Sequence, residues 1–231
     1  MKAFIAVVLL ASIQVQAQIL DEIIVTGSYV DGSPIVYTVK GDFYLQPLRL
    51  INDSLITAER LRDTRLTFEA LFEAAQNNEQ IFIIGNEDEL APLESVSSFS
   101  DLFTDNHNQN DKSIVDLFLK SPIEKSGQID YARRNQSFLD GVQTFGRTKI
   151  YLDEDSEITI LNPRQYRPAL ISAIGKDINH INQAFGGDYR VVLTGLDKNI
   201  DWFRSGIDSV SFYLDYSFAV IPKNITMYQP E

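Results

Sequence analysis

The sequence predicts an α+β fold: a two-layer sandwich in which a mostly antiparallel sheet is covered on one face by two long amphipathic helices. The order strand, long helix, strand occurs twice, in residues 43–85 and 147–194. Apolar and polar residues also alternate from Val210 to Val220, which is the period of a strand with one buried face. Each helix has one apolar stripe, and a shared sheet is a surface on which both stripes can be buried.

Three extended segments begin the domain. The first, Ile19 to Val30, is rich in β-branched residues and ends in the turn Asp31-Gly32-Ser33-Pro34. Ile35 to Val39 and Phe43 to Ile51 follow. Pro47 lies inside the third segment and predicts an edge strand or a bulge, because proline cannot donate a ladder hydrogen bond.

Residues 57–77 are predicted to form the first long helix. Thr57 is its expected N-cap. The apolar face consists of Leu61, Phe68, Leu71, Phe72 and Ala75, and the solvent face of Arg60, Arg62, Arg65, Glu69 and Glu73. Ile81 to Ile84 then forms a buried strand.

The middle of the chain, residues 86–145, is irregular and resembles an insertion. Within it we expect a short helix over Ile114–Leu119 and another over 128–141. Strands are predicted again at Arg147–Leu152 and Glu157–Leu161.

The second long helix is predicted over 163–185. Asn162 is its expected cap and Pro163 its first residue, while Pro168 either kinks the helix or restarts it. Its apolar face consists of Leu170, Ile171, Ile174, Ile178, Ile181 and Phe185. The strand Tyr189–Thr194 follows, then one long strand that ends before Pro222, and 223–231 is a loose tail.

The first 17 residues have the pattern of a secretory signal peptide. A single Lys2 precedes the apolar run Ala3–Ala11, and Val15 and Ala17 are suited to a cleavage site after Ala17. We therefore expect an exported, soluble single domain over 18–222, in the bacterial periplasm or the medium. The net charge of the full chain, −12, argues against nucleic-acid binding, and the absence of cysteine excludes disulfides and thiol chemistry.

The element order and the opening segment Ile23-Ile24-Val25-Thr26-Gly27 resemble the SIMPL domain family of exported bacterial proteins. The resemblance covers about residues 22–221 and departs from the family plan in 86–145. It implies a periplasmic or envelope protein, in some cases oligomeric, without established catalytic residues. Asp21 to Ser28 also resembles the TonB box of TonB-dependent receptors, an extended segment that pairs with the edge of a partner's sheet. Residues Glu22, Ile23, Ile24, Val25, Thr26 and Gly27 are thus either the first strand or a docking segment.

No motif predicts a catalytic, cofactor-binding or metal-binding residue. The two histidines, His107 in a polar loop and His180 in the second helix, are expected at the surface. The loop Asp105–Asp111 has oxygen ligands suited to calcium, but lacks the glycine and the glutamate of a calcium-binding hand. Asp153-Glu154-Asp155 is expected to be an exposed turn, because adjacent acids on a strand point to opposite faces.

The predicted function is a non-enzymatic interaction or assembly module of the cell envelope, without cofactors and without membrane insertion of the mature chain. Its partner is a second protein or a second copy. Trp202, Phe203 and Arg204 are the candidate contact residues, with core packing as the alternative role. The alternative function is a periplasmic small-ligand binder or hydrolase with its site in residues 86–145.

Overall fold

A computed structural model confirms the α+β class and the antiparallel sheets. It describes residues 22–25, 35–85, 90–106, 112–126 and 129–224. The predicted signal peptide and most of the predicted tail lie outside these residues. No helix in the described part of the chain is long and apolar enough to cross a membrane.

The elements follow one another in an order that alternates strands and helices. The strands are β1 (Glu22–Val25), β2 (Val36–Lys40), β3 (Phe43–Asn52), β4 (Phe82–Ile84), β5 (Phe103–Asn106), β6 (Lys112–Pro122), β7 (Thr148–Leu152), β8 (Glu157–Leu161), β9 (Tyr189–Thr194), β10 (Ile200–Arg204), β11 (Ser209–Leu214) and β12 (Ser217–Pro222). The α-helices are α1 (Thr57–Gln76), α2 (Phe99–Leu102), α3 (Tyr131–Leu139) and α4 (Arg167–Phe185).

These strands form three antiparallel sheets. The largest has seven strands in the order β1-β8-β3-β6-β4, with β7 also paired to β3 and β5 to β6. The second has the order β10-β11-β2, and the third consists of β9 and β12. The seven-stranded sheet is therefore built around β3 and β6, which pair from Phe43 opposite Pro122 to Asn52 opposite Ser113.

Pro47 lies at a bulge and not on an edge strand. The other side of β3 pairs with β8 at Phe43–Leu45 and with β7 at Leu48–Asn52. Between these two pairings, residues 153–156 lie opposite only Gln46 and Pro47. Because proline has no N–H to donate, the ladder loses no donor at the break. The Pro47 carbonyl accepts a hydrogen bond from the Asp153 N–H at 3.0 Å.

The predicted short helix over Ile114–Leu119 is wrong, because these residues belong to strand β6. Ser113, Val115, Leu117 and Leu119 are buried, and the residues between them are at least partly exposed. That is the period of a strand, and pairing with β3 overrides the short apolar run. The irregular region 86–145 thus contributes a central strand, and the helix expected over 128–141 is confirmed as α3.

Helix α1 is confirmed, but one arginine lies on the unexpected side. Arg60 is only 1% exposed, whereas Leu61 is 45% exposed. The Arg60 guanidinium donates to the Ser54 carbonyl at 2.7 Å and to the hydroxyls of Ser113 and Thr57. A buried charge is tolerated where its donors are satisfied in this way. Thr57 is the first helical residue, and Ile56 is the N-cap.

The predicted long strand 210–220 is wrong, because it consists of two strands in different sheets. β9 pairs with β12 and β10 pairs with β11, so 189–222 is one long hairpin with a break in the middle. At the break, residues 195–199 lie opposite only Asp215 and Tyr216. Gly195 has φ of +88°, and a Cβ there would lie 2.7 Å from the Asp215 carbonyl oxygen. The side-chain alternation continues across the break, so the sequence pattern does not show it.

Each long helix packs in its own apolar cluster. In the α1 cluster, Phe68, Leu71 and Ala75 of the helix pack with Leu48 and Leu50 of β3 and with Val115, Leu117 and Leu119 of β6. Around α4 lie Leu170, Ile174 and Ile178 with Ile158, Ile160, Val210, Phe212 and Leu214. A 3-10 turn, Pro163–Tyr166, precedes α4, which confirms a restart near Pro168. The α4 cluster joins the seven-stranded sheet to the three-stranded sheet.

Candidate functional site

A cleft lies where an edge of the seven-stranded sheet meets an edge of the three-stranded sheet. Among the described residues, β1 pairs only with β8 and β10 only with β11. The cleft has a volume of about 630 Å³. It is lined by Ile23, Pro163, Arg164, Arg167, Asn199, Ile200, Asp201 and Trp202, and we call it the edge cleft.

Strand β1 is anchored to the sheet by a buried ion pair. The Glu22 carboxylate accepts a hydrogen bond from Lys120 Nζ at 2.6 Å and another from the Thr159 hydroxyl. Val25 is fully buried in the α4 cluster, and Ile23 lines the edge cleft. Residues Glu22–Val25 therefore form the first strand, while Thr26 and Gly27 of the predicted docking segment lie outside the described residues.

The three predicted contact residues in β10 have three different environments. Trp202 is partly buried against the α4 cluster and lines the edge cleft. Phe203 is buried, with its ring 6.1 Å from that of Tyr213. The Arg204 guanidinium donates to the carbonyls of Ser156, Gly206 and Ile207. Of the three, only Trp202 is placed to touch a ligand in the cleft.

Arg204 instead orders the loop at the tip of the β10–β11 hairpin. By binding Ser156, it ties that loop to the bulge between β7 and β8. Ile207 at the tip is 74% exposed.

The segment that begins α4 contributes Pro163, Arg164 and Arg167 to the cleft lining. Arg167 donates to the carbonyls of Leu196 and Lys198, which fixes the break in the long hairpin. Tyr166 stacks on Phe212 with ring centroids 4.8 Å apart, and burial raises the pKa of the Tyr166 hydroxyl. The cleft lining includes two arginines, Arg164 and Arg167, and one carboxylate, Asp201. The cleft is thus locally cationic on a chain whose net charge is −12.

The other candidate residues do not come together in the described structure. His180 is exposed on α4, and His107 lies outside the described residues, as does most of the loop Asp105–Asp111. Asp153, Glu154 and Asp155 are exposed at the bulge opposite Pro47. Within the described residues there is no group of three histidine or acidic side chains that could hold a metal ion.

No family model matches this chain. Neither the curated proteins nor the solved structures compared with it contain a match. Function is therefore inferred from the residues of the cleft.

The sequence indicated Ile23 and Trp202 as candidate contact residues, but it did not indicate that the two line the same cleft. Strand β10, which carries Trp202, was not predicted, although Ser205-Gly206-Ile207-Asp208 has the composition of a hairpin loop between two apolar segments. Also missed were Arg164 and Arg167, which lie at the expected start of a helix and have no motif. Their position in a cleft follows only from the packing of α4 against the hairpin break.

Proposed function

We propose that this chain is an exported, non-enzymatic interaction module of the cell envelope, which binds an extended segment of a partner protein in the edge cleft. The observation that carries the proposal is the meeting of two sheet edges at one concave surface. Export is supported by the charge and apolar pattern of residues 1–17.

Strand addition is the binding mode that this geometry favours. An extended peptide satisfies its backbone hydrogen bonds along a sheet edge, and pockets for alternate side chains provide specificity. Trp202 and Ile23 supply apolar surface to the cleft lining, and Arg164 supplies positive charge. Tryptophan and arginine are the residue types that contribute most often to binding hot spots.

Reversing the charge of Arg164 is expected to weaken partner binding. The variant Arg164→Glu should lower retention of an envelope partner by roughly tenfold, because it reverses one of the two positive charges in the lining of the edge cleft. Binding is measured by capture from envelope extract on the immobilised mature chain. The fluorescence of Trp202, the only tryptophan, gives an independent signal when the captured protein is titrated.

The matched control is Arg133→Glu, an equal charge reversal at an exposed position of α3 and outside the cleft. It should leave retention and fluorescence unchanged. Equal loss in both variants would show that only overall charge matters, and the edge cleft would be excluded as the binding site.

A second candidate function, small-ligand binding, is favoured by a cleft in the region 86–145. It has a volume of about 680 Å³ and is lined by Ile129, Asp130, Tyr131 and Ala132 with Tyr44, Ile207 and Asp208. Tyr131 stacks on Tyr44 with centroids 5.1 Å apart, which provides an aromatic wall.

Filling that cleft provides the test. A small-molecule panel screened by ligand-observed NMR should yield aromatic binders whose signals are lost in Ala132→Trp, because the exposed Ala132 lies on the cleft lining. Binders that are indifferent to this substitution, or a panel without binders, would count against the ligand-binding function.

A further inference from the structure

The solvent-facing stripe of α1 carries opposite charges in its two halves. Arg62 and Arg65 are exposed in the N-terminal half, and Glu69 and Glu73 are at least partly exposed in the C-terminal half. Residues three and four apart lie on the same side of a helix, so these four side chains form one row. The row is complementary to a second copy of itself that runs in the opposite direction.

Two exposed apolar residues precede the helix. Leu55 is 86% exposed and Ile56 is 56% exposed, and we call them the apolar knob. The segment that carries them is held in place: the Ser54 N–H donates to Asn52 Oδ1 at 2.8 Å, and buried Arg60 donates to the Ser54 carbonyl. The two adjacent side chains therefore form a small apolar surface at a fixed position, next to the N-terminus of α1.

An apolar pocket lies at the opposite end of the same helix. Its volume is about 290 Å³, and its lining includes Phe72, Ala75, Phe82, Pro92 and Leu93, with Asn78 and Glu79 at the end of α1. We call it the end pocket. It is large enough for an aliphatic side chain and lies about 30 Å along the helix from the knob, given the rise of 1.5 Å per residue over 20 residues.

These three features share one symmetry centre. A two-fold axis on the exposed side of α1, at the level of buried Thr67, places Arg65 of one copy opposite Glu69 of the other and Arg62 within one residue of Glu73. The same axis places Leu55 and Ile56 next to Glu79 and Asn78, which line the end pocket. The axis that pairs the opposite charges therefore also places the apolar knob of one copy at the end pocket of the other. Closed two-fold contacts of this kind are the commonest form of self-association.

We propose that two copies of this chain associate through α1, antiparallel about Thr67, with each apolar knob in the end pocket of the other. This surface shares no residue with the edge cleft. The inference therefore goes beyond the proposed partner binding and does not depend on it.

The charge row is tested by two single reversals and their mixture. Arg65→Glu and Glu69→Arg each place like charges across the axis, so each alone should raise the dimer dissociation constant by roughly tenfold or more. Mixed in equal amounts, they should form a heterodimer, because the glutamate introduced in one chain then faces the arginine introduced in the other. Each variant chain alone has lost its internal Arg65–Glu69 ion pair, so recovery in the mixture reports only the contact between chains.

The knob is tested by Leu55→Asp, with Ile171→Asp on α4 as the matched control at an exposed apolar position outside the clefts described above. Sedimentation equilibrium of residues 18–231 at about 0.15 M salt should show a dimer that Leu55→Asp dissociates and Ile171→Asp does not. Three outcomes would overturn the proposal. The parent chain could be monomeric, the two aspartate variants could have equal effects, or the mixture of the two charge reversals could remain monomeric. Capture of a partner by Leu55→Asp would still support the edge cleft, and an intact dimer in Arg164→Glu would show that the two surfaces act separately.

Discussion

Replacement of Gly146 by alanine is expected to lower the free energy of unfolding by about 3 kcal/mol. Gly146 has φ of +55°, which side-chain-bearing residues rarely adopt, and a Cβ there would lie 1.8 Å from Asp63 Oδ2. Asp63 has little room to move away, because it is buried in α1 and paired with Arg62 at 2.8 Å. The loop is also held by the Phe145 N–H, which donates to the Thr67 hydroxyl at 3.0 Å.

The matched control is Gly175→Ala in the middle of α4. No atom lies within 4 Å of the new Cβ, so this substitution should raise the free energy of unfolding by about 0.5–1 kcal/mol through helix propensity. Urea denaturation followed by circular dichroism measures both changes. Loss of less than about 1 kcal/mol in Gly146→Ala would show that the loop shifts away from α1 without strain.

Removal of the buried cation at Lys120 is the second substitution with a large expected effect. Lys120→Met should lower the free energy of unfolding by about 3–5 kcal/mol, because it leaves the Glu22 carboxylate without its cation. The side chains of Lys120 and Glu22 are only 5% and 13% exposed. Lys120 also donates to the Leu90 carbonyl at 2.9 Å and lies over the Phe43 ring. Faster amide exchange in β1 should accompany the loss, since Glu22 links that strand to β6.

Two further variants separate a buried pair from a general charge effect. Glu22→Gln combined with Lys120→Met should recover part of the loss, because no unpaired charge remains inside. Arg49→Met breaks the exposed pair with Asp116 and should cost less than about 1 kcal/mol. A double variant that is less stable than Lys120→Met would contradict this account of β1.

The local sequence pattern was sufficient to predict an element where that element is long or has a distinct boundary. The apolar positions of α1 and α4 predicted both helices, and Pro163 and Pro168 marked the two-step start of α4. β6 was missed because a short apolar run reads equally well as strand or helix until a partner strand is known. The break in the C-terminal hairpin was missed because residues 195–199 form a loop on the opposite strand, whereas alternation along 210–220 is unbroken.

The candidate site was predictable only in pieces. Trp202 was singled out because tryptophan is rare and common at interfaces, and Ile23 because its segment resembles a docking strand. Neither observation shows that Ile23 and Trp202 are close in space, because 178 residues lie between them along the chain. The buried state of Arg60 was likewise invisible, because its partners Ser54 and Ser113 come from two other segments.

The sequence by itself determined the α+β class, the two long helices, the absence of cysteine chemistry and the charge pattern along α1. These properties depend on residues within one or two helical turns, or on composition, so local physics is enough to read them. Only the tertiary structure decided which strands are neighbours, where Pro47 and Gly195 break a ladder, and which residues share a cleft. Those features depend on pairing between distant segments. Whether a charge or a strand edge is buried depends on two segments that meet in the fold, so the sequence of one segment alone does not show it.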